Sequence, residues 1–125
     1  MTLTRIISFF VGLILATTVH AHGEGHAAPH GGQLIEAGDY MLEWVAKDNA
    51  LYLQDHTGAQ VTTEGAMGKI VAVGGGTKVT INLIPAGGNR LNLSEPLPAG
   101  NDVKAVISIN LPGHAPVQAR LERER

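Results

Sequence analysis

Between Gln33 and Leu121, apolar and polar residues alternate in short runs, and turn formers interrupt them about every ten residues. The clearest run is Thr77 to Ile84, where Val79, Ile81 and Leu83 fall on one face and Lys78, Thr80 and Asn82 on the other. Period two is the signature of a strand with one buried face. Tyr40 to Lys47 repeats it, with Tyr40, Leu42, Trp44 and Ala46 as the better core face and Met41, Glu43, Val45 and Lys47 opposite. Asp102 to Asn110 places Val103, Ala105, Ile107 and Ile109 on one side. Shorter runs cover Gln33 to Ala37, the stretch starting at Leu51, Gly68 to Val73, Arg90 to Leu93, and Val117 to Leu121. Val61 to Met67 reads as a loop with one extended piece.

The interruptions are rich in Gly, Pro, Asn and Asp, which turns select for their backbone conformations. They are Gly38-Asp39, Asp48-Asn49, Asp55 to Gly58, Gly74-Gly75-Gly76, Pro85 to Asn89, and Pro112-Gly113-His114. The strands flanking Asp48-Asn49 are predicted to form a hairpin. No amphipathic helix is present. The pattern predicts an all-β domain of seven or eight short strands, a small antiparallel sandwich of immunoglobulin-like type or alternatively a small barrel. Pro96 and Pro98 exclude a central strand there and suit a long crossover, which favours the sandwich.

The stretch ahead of Gln33 has a different texture. Arg5 is followed by an apolar run, Ile6 to Val19, and Val19-His20-Ala21 satisfies the small-x-small rule for signal peptidase. The run is shorter than the roughly 20 residues of a membrane span, and Thr17 and Thr18 break its end. The reading is a signal peptide over residues 1–21, cleaved after Ala21. It is followed by a flexible His/Gly-rich segment at 22–32 and the β-domain at 33–125. Export to the periplasm is expected, with no membrane attachment after cleavage. The chain has no cysteine, which excludes a lipoprotein anchor, disulfides, thiolate metal sites and a cysteine nucleophile.

Charge and composition narrow the function classes. Without Arg5 the chain carries eight basic against eleven acidic side chains, a net charge of −3 with neutral histidines. There is no basic patch and little aromatic surface, so nucleic acid is not an expected partner. Ser94 and Ser108 lack a nucleophile signature, and a domain this small leaves little room for a substrate cleft, so the chain is not read as an enzyme.

The candidate chemistry lies in the histidines. Of the six in the chain, four fall between His20 and Gly32. A neutral imidazole suits Cu(II), Zn(II) and Ni(II). His22, His26 and His30 are spaced by four, but the intervening glycines and Pro29 disfavour a helix, and a flexible segment that wraps an ion is expected. Cleavage after Ala21 would leave His22 with a free α-amino group, able to chelate copper together with its own imidazole. His30 is the strongest single candidate, because Gly31 and Gly32 let the backbone fold around it before the first strand begins. His56 follows Asp55 at a strand end and is either a ligand oriented by that carboxylate or a turn histidine. His114 lies in a Pro-Gly turn and is read as exposed. Met41 and Met67 are soft donors, although methionine is more often a core filler. Glu24 is the only carboxylate within the histidine segment. Asp39, Asp48 and Asp55 are read as turn residues, since no calcium-loop spacing links them.

From His22 onward the chain resembles a family of small exported proteobacterial proteins with a histidine-rich start and a His-Gly-Gly motif, here His30-Gly31-Gly32. Leu51-Tyr52-Leu53 followed by Asp55-His56, Gly65 to Lys69, and Pro85 to Asn89 complete the likeness. It is similar also to the N-terminal module of periplasmic adaptor subunits of heavy-metal efflux pumps. The resemblance implies a periplasmic location and metal handling; it does not itself supply a methionine ligand at Met41.

The expectation is thus a periplasmic protein that binds copper or zinc through His22, His26 and His30, with His56 as a possible anchor. It would buffer, sequester or deliver the metal in heavy-metal resistance. The alternative is a β-sandwich interaction module that docks on an envelope or efflux complex, its histidine tail incidental. An exposed edge strand leaves a monomer or a dimer open.

Overall fold

The computed structural model describes residues 28–100 and 102–123. The signal-peptide reading and the positions of His22 and His26 lie outside the described residues. Eight strands form: β1 Gln33–Ala37, β2 Tyr40–Val45, β3 Ala50–Asp55, β4 Met67–Gly74, β5 Thr77–Pro85, β6 Arg90–Leu93, β7 Val103–Asn110 and β8 Val117–Arg123. The one helical element among the described residues is a short 3-10 turn, Ala46–Asp48.

The strands belong to a single antiparallel sheet in the order β1-β2-β3-β6-β5-β4-β7-β8. Its outermost strands, β1 and β8, come into contact without hydrogen-bonding to each other, so the sheet is curled almost to closure. The all-β prediction holds. The continuous hydrogen bonding corresponds to the barrel arrangement of the two expected, with the facing halves of the curled sheet packing as sandwich layers do. The predicted hairpin pairs Leu42 with Leu53 and Trp44 with Leu51. Two crossovers make the order non-sequential. Residues 56–66 carry the chain from β3 to β4, and residues 94–102 carry it from β6 to β7 across Pro96 and Pro98. The triple glycine closes β4 onto β5 with φ of +58° at Gly75 and +79° at Gly76, a pair of values that side chains resist.

One core fills the interior. Leu42, Trp44, Leu51, Leu53, Ile70, Ile81, Leu91, Ile107, Ile109 and Leu121 meet there, as the alternation predicts. Tyr40 packs partly against this core, whereas Ala46 leaves the strand and is exposed. The crossovers contribute Ala66 and Leu97 to the interior. Buried Thr63 fastens the first crossover to the β5–β6 turn, its hydroxyl donating to the carbonyl of Arg90 at 3.0 Å.

The second face of β2 and β3 departs from simple alternation. Met41, Glu43, Val45, Ala50, Tyr52 and Gln54 are also buried. These six lie opposite one another in three cross-strand pairs, Met41–Gln54, Glu43–Tyr52 and Val45–Ala50. The His-Gly-Gly segment packs on this outer face.

Candidate metal centre

The local chain dictates how His30 reaches the sheet. Ala28 to Gly31 forms a tight turn, closed by the Gly31 N–H donating to the Ala28 carbonyl at 2.9 Å. Pro29 holds the second position of that turn and Gly31 the last, the places those residues favour. Gly31 then takes φ of +72°, which turns the backbone down onto the sheet. Gly32 has no room for a side chain: a Cβ there would lie 2.3 Å from the Trp44 carbonyl oxygen and 2.9 Å from a Val45 methyl. The two glycines therefore do separate things, one turning the chain and the other permitting its contact with β2.

Glu43 receives the segment. Its carboxylate is 1 % exposed, against 35 % for the His30 side chain. One oxygen, Oε2, accepts the backbone N–H groups of His30 and Gly32, both at 2.8 Å. The other, Oε1, lies 2.9 Å from Nδ1 of His30. Both oxygens act as acceptors in this arrangement, so the proton of the third bond is assigned to Nδ1. In the neutral ring the lone pair then sits on Nε2, which makes no hydrogen bond to another described residue. This is the arrangement in which a carboxylate fixes the tautomer and orientation of a metal-ligating imidazole.

The face of the ring is fixed as well. His30 stacks on Tyr52, with centroids 3.8 Å apart and planes at 16°. Such a contact contributes about 0.5–1.5 kcal/mol beyond area burial. Tyr52 is itself clamped at its edge. Its hydroxyl donates to Asp48 Oδ2 at 2.9 Å and accepts from Arg90 at 3.0 Å. Arg90 also bonds the Asn92 side chain at 2.7 Å and lies 5.5 Å from the Tyr52 ring centroid. Burial, followed by the Asp48 hydrogen bond, raises the Tyr52 phenol above its ordinary pKa. The folded state thus holds that proton more tightly than the unfolded chain. The resulting stability is fully present below the unfolded value of about 10 and is lost as pH rises through the folded value. An ultraviolet tyrosine titration is expected to show a late-ionising phase that disappears in Tyr52→Phe.

The other predicted residues are placed elsewhere. His56 lies past the end of β3, its Nε2 donating to the Gly38 carbonyl at 2.9 Å, near the β1–β2 turn. Asp55 Oδ1 accepts from the Thr57 N–H and hydroxyl and from the Ala59 N–H. Those bonds, the Thr57 side chain first, hold the Asp55 carboxyl below its ordinary pKa. His114 bonds the Tyr40 hydroxyl through Nδ1 at 3.1 Å and is exposed. Met67 is 72 % exposed at the start of β4. Among the described residues no three His, Asp or Glu side chains converge as a metal cluster. The structure brings His30, Glu43 and Tyr52 together, and only His30 of these was a candidate from sequence. Glu43 stands out only as a lone carboxylate among Leu42, Trp44 and Val45, a pattern that does not say what the carboxylate meets.

No protein-family model, curated protein or solved structure matches this chain.

Proposed function

We propose that this is an exported, periplasmic protein that binds a transition metal, copper or zinc, and buffers, sequesters or delivers it in heavy-metal resistance. The observation that carries the reading is the Glu43-held His30 ring. A buried carboxylate that accepts from the His30 ring, the His30 N–H and the Gly32 N–H fixes both the ring and the backbone that carries it, and orientation matters for a ligand. His30 would be the fixed donor. His26 and His22, four and eight residues upstream, would complete the coordination, with His22 offering its α-amino group if cleavage follows Ala21. A single imidazole holds a divalent ion weakly, so the upstream donors supply the remaining affinity, less the entropy of ordering their backbone.

Replacing His22, His26 and His30 together by alanine is expected to abolish tight Cu(II) and Zn(II) binding while leaving the far-ultraviolet dichroism of the β-domain unchanged. Native mass spectrometry of untagged protein, titrated with each ion, reads both the N-terminus and the stoichiometry. Undiminished binding in the triple variant would refute the proposal.

A second reading, a module that docks on an envelope or efflux complex, draws support from the seam between β1 and β8, which touch but share no hydrogen-bonded ladder among the described residues. Such edges accept an added strand from a partner. A truncation lacking the histidine segment that still captured its partner would favour this reading.

A further inference from the structure

Two buried side chains on the outer face of β2 and β3 are not used by either apolar core. Met41 and Gln54 are cross-strand partners, 8 % and 5 % exposed. Met41 belongs to neither of the clusters into which the buried apolar residues group. The Gln54 side-chain amide has no hydrogen bond to another described residue. Both lie one step along the same face from Glu43 and Tyr52, the pair on which His30 rests. Successive same-face residues of a strand are about 7 Å apart, a gap that a long, three-rotor thioether is suited to span.

We propose that Met41 is a second, soft donor to the metal held by His30, and that the site accordingly takes Cu(I). The proposal rests on the metal-binding reading of His30 and extends it to a named residue and oxidation state. Thioether sulfur selects Cu(I) over Zn(II), whereas imidazole alone serves both. Gln54, opposite Met41, supplies an amide able to hydrogen-bond a water or an oxygen donor on the same ion. No redox step is implied, since the ion arrives and leaves as Cu(I).

The test is an anaerobic competition of the full exported chain against a chromogenic Cu(I) chelator, with a parallel Zn(II) titration. It compares the native protein, Met41→Leu and His30→Ala. Leucine conserves volume closely enough to keep the fold. Met41→Leu is expected to weaken Cu(I) binding at least as much as loss of an outer-shell partner does, by about tenfold or more, with Zn(II) affinity unchanged. Sulfur scattering at the copper absorption edge should disappear with it. Equal Cu(I) affinity in the native protein and Met41→Leu overturns the proposal, and if His30→Ala still loses the metal, the His30 reading stands without it. A native protein that binds zinc but no Cu(I) also overturns it. A native protein that binds neither ion removes the metal-binding reading itself, and this proposal with it.

Discussion

Glu43→Gln is expected to weaken metal binding by about 10–100-fold while leaving the fold nearly as stable as before. The reason lies in the proton on His30. The glutamine carbonyl oxygen can still accept the two backbone N–H groups that Oε2 accepts now. The amide nitrogen would then face Nδ1 as a donor, which forces Nδ1 to become the acceptor and moves the ring proton to Nε2. Nε2, the nitrogen that the proposed site would offer to a metal, loses its lone pair. Nitrogen-15 imidazole shifts report that exchange of tautomers directly, and metal titration reports the loss of affinity. Glu43→Ala is the contrasting case. It leaves both amide donors without their charged acceptor and is expected to cost about 2–3 kcal/mol in urea unfolding as well as the metal affinity. Unchanged metal affinity in Glu43→Gln would show that the carboxylate anchors the backbone and does not tune the ring.

Ile107→Ala is expected to destabilise the domain by about 2–5 kcal/mol, against about 0.5–1.5 kcal/mol for Ile107→Val. Ile107 is wholly buried and sits between Ile70 of β4 and Ala119 of β8, so its loss opens a cavity lined by three strands. Total stability of a small domain is about 5–15 kcal/mol, and this one has no disulfide to add to its packing. Ile107→Ala is therefore expected to unfold at markedly lower denaturant concentration, measured by tryptophan fluorescence of Trp44. Metal affinity, measured well below that midpoint, should be unaffected, because the His30 segment rests on the opposite face of β2 and β3. A loss of affinity without unfolding would mean that the core and the outer face are coupled.

These two substitutions separate the readable part of the molecule from the unreadable part. Ile107 could be assigned to the core from the spacing of Val103, Ala105, Ile107 and Ile109 alone, because burial of one strand face imposes period two on the residues themselves. The same holds for Val79, Ile81 and Leu83, and for the turns at Asp48-Asn49 and Gly74-Gly75-Gly76, whose backbone demands restrict the residue types. Glu43 could not be assigned in this way. Alternation places it on the face away from the core, where a carboxylate reads as a solvated side chain. Its burial depends on residues 28–32 crossing that face, a contact between positions eleven and thirteen residues apart.

The candidate site divides along the same line. His30 was legible as a ligand type beside two glycines. The neighbours that orient it, Glu43 and Tyr52, were not, since their sequence neighbours give no sign that the two meet the same ring. Asp55-His56 left two readings open, an oriented ligand or a turn histidine; in the fold Asp55 accepts from Thr57 and Ala59, and His56 bonds the Gly38 carbonyl.

What the sequence determined by itself is what local physics encodes: strands from alternation, turns from backbone demands, a histidine-rich approach from composition, and an all-β class from the spacing of the breaks. The strand order, the near-closure of β1 on β8, and the seating of His30 on Glu43 and Tyr52 were decided only by the tertiary structure. Each of these brings together residues far apart in the chain, and no local preference records which distant strand face a given residue will meet.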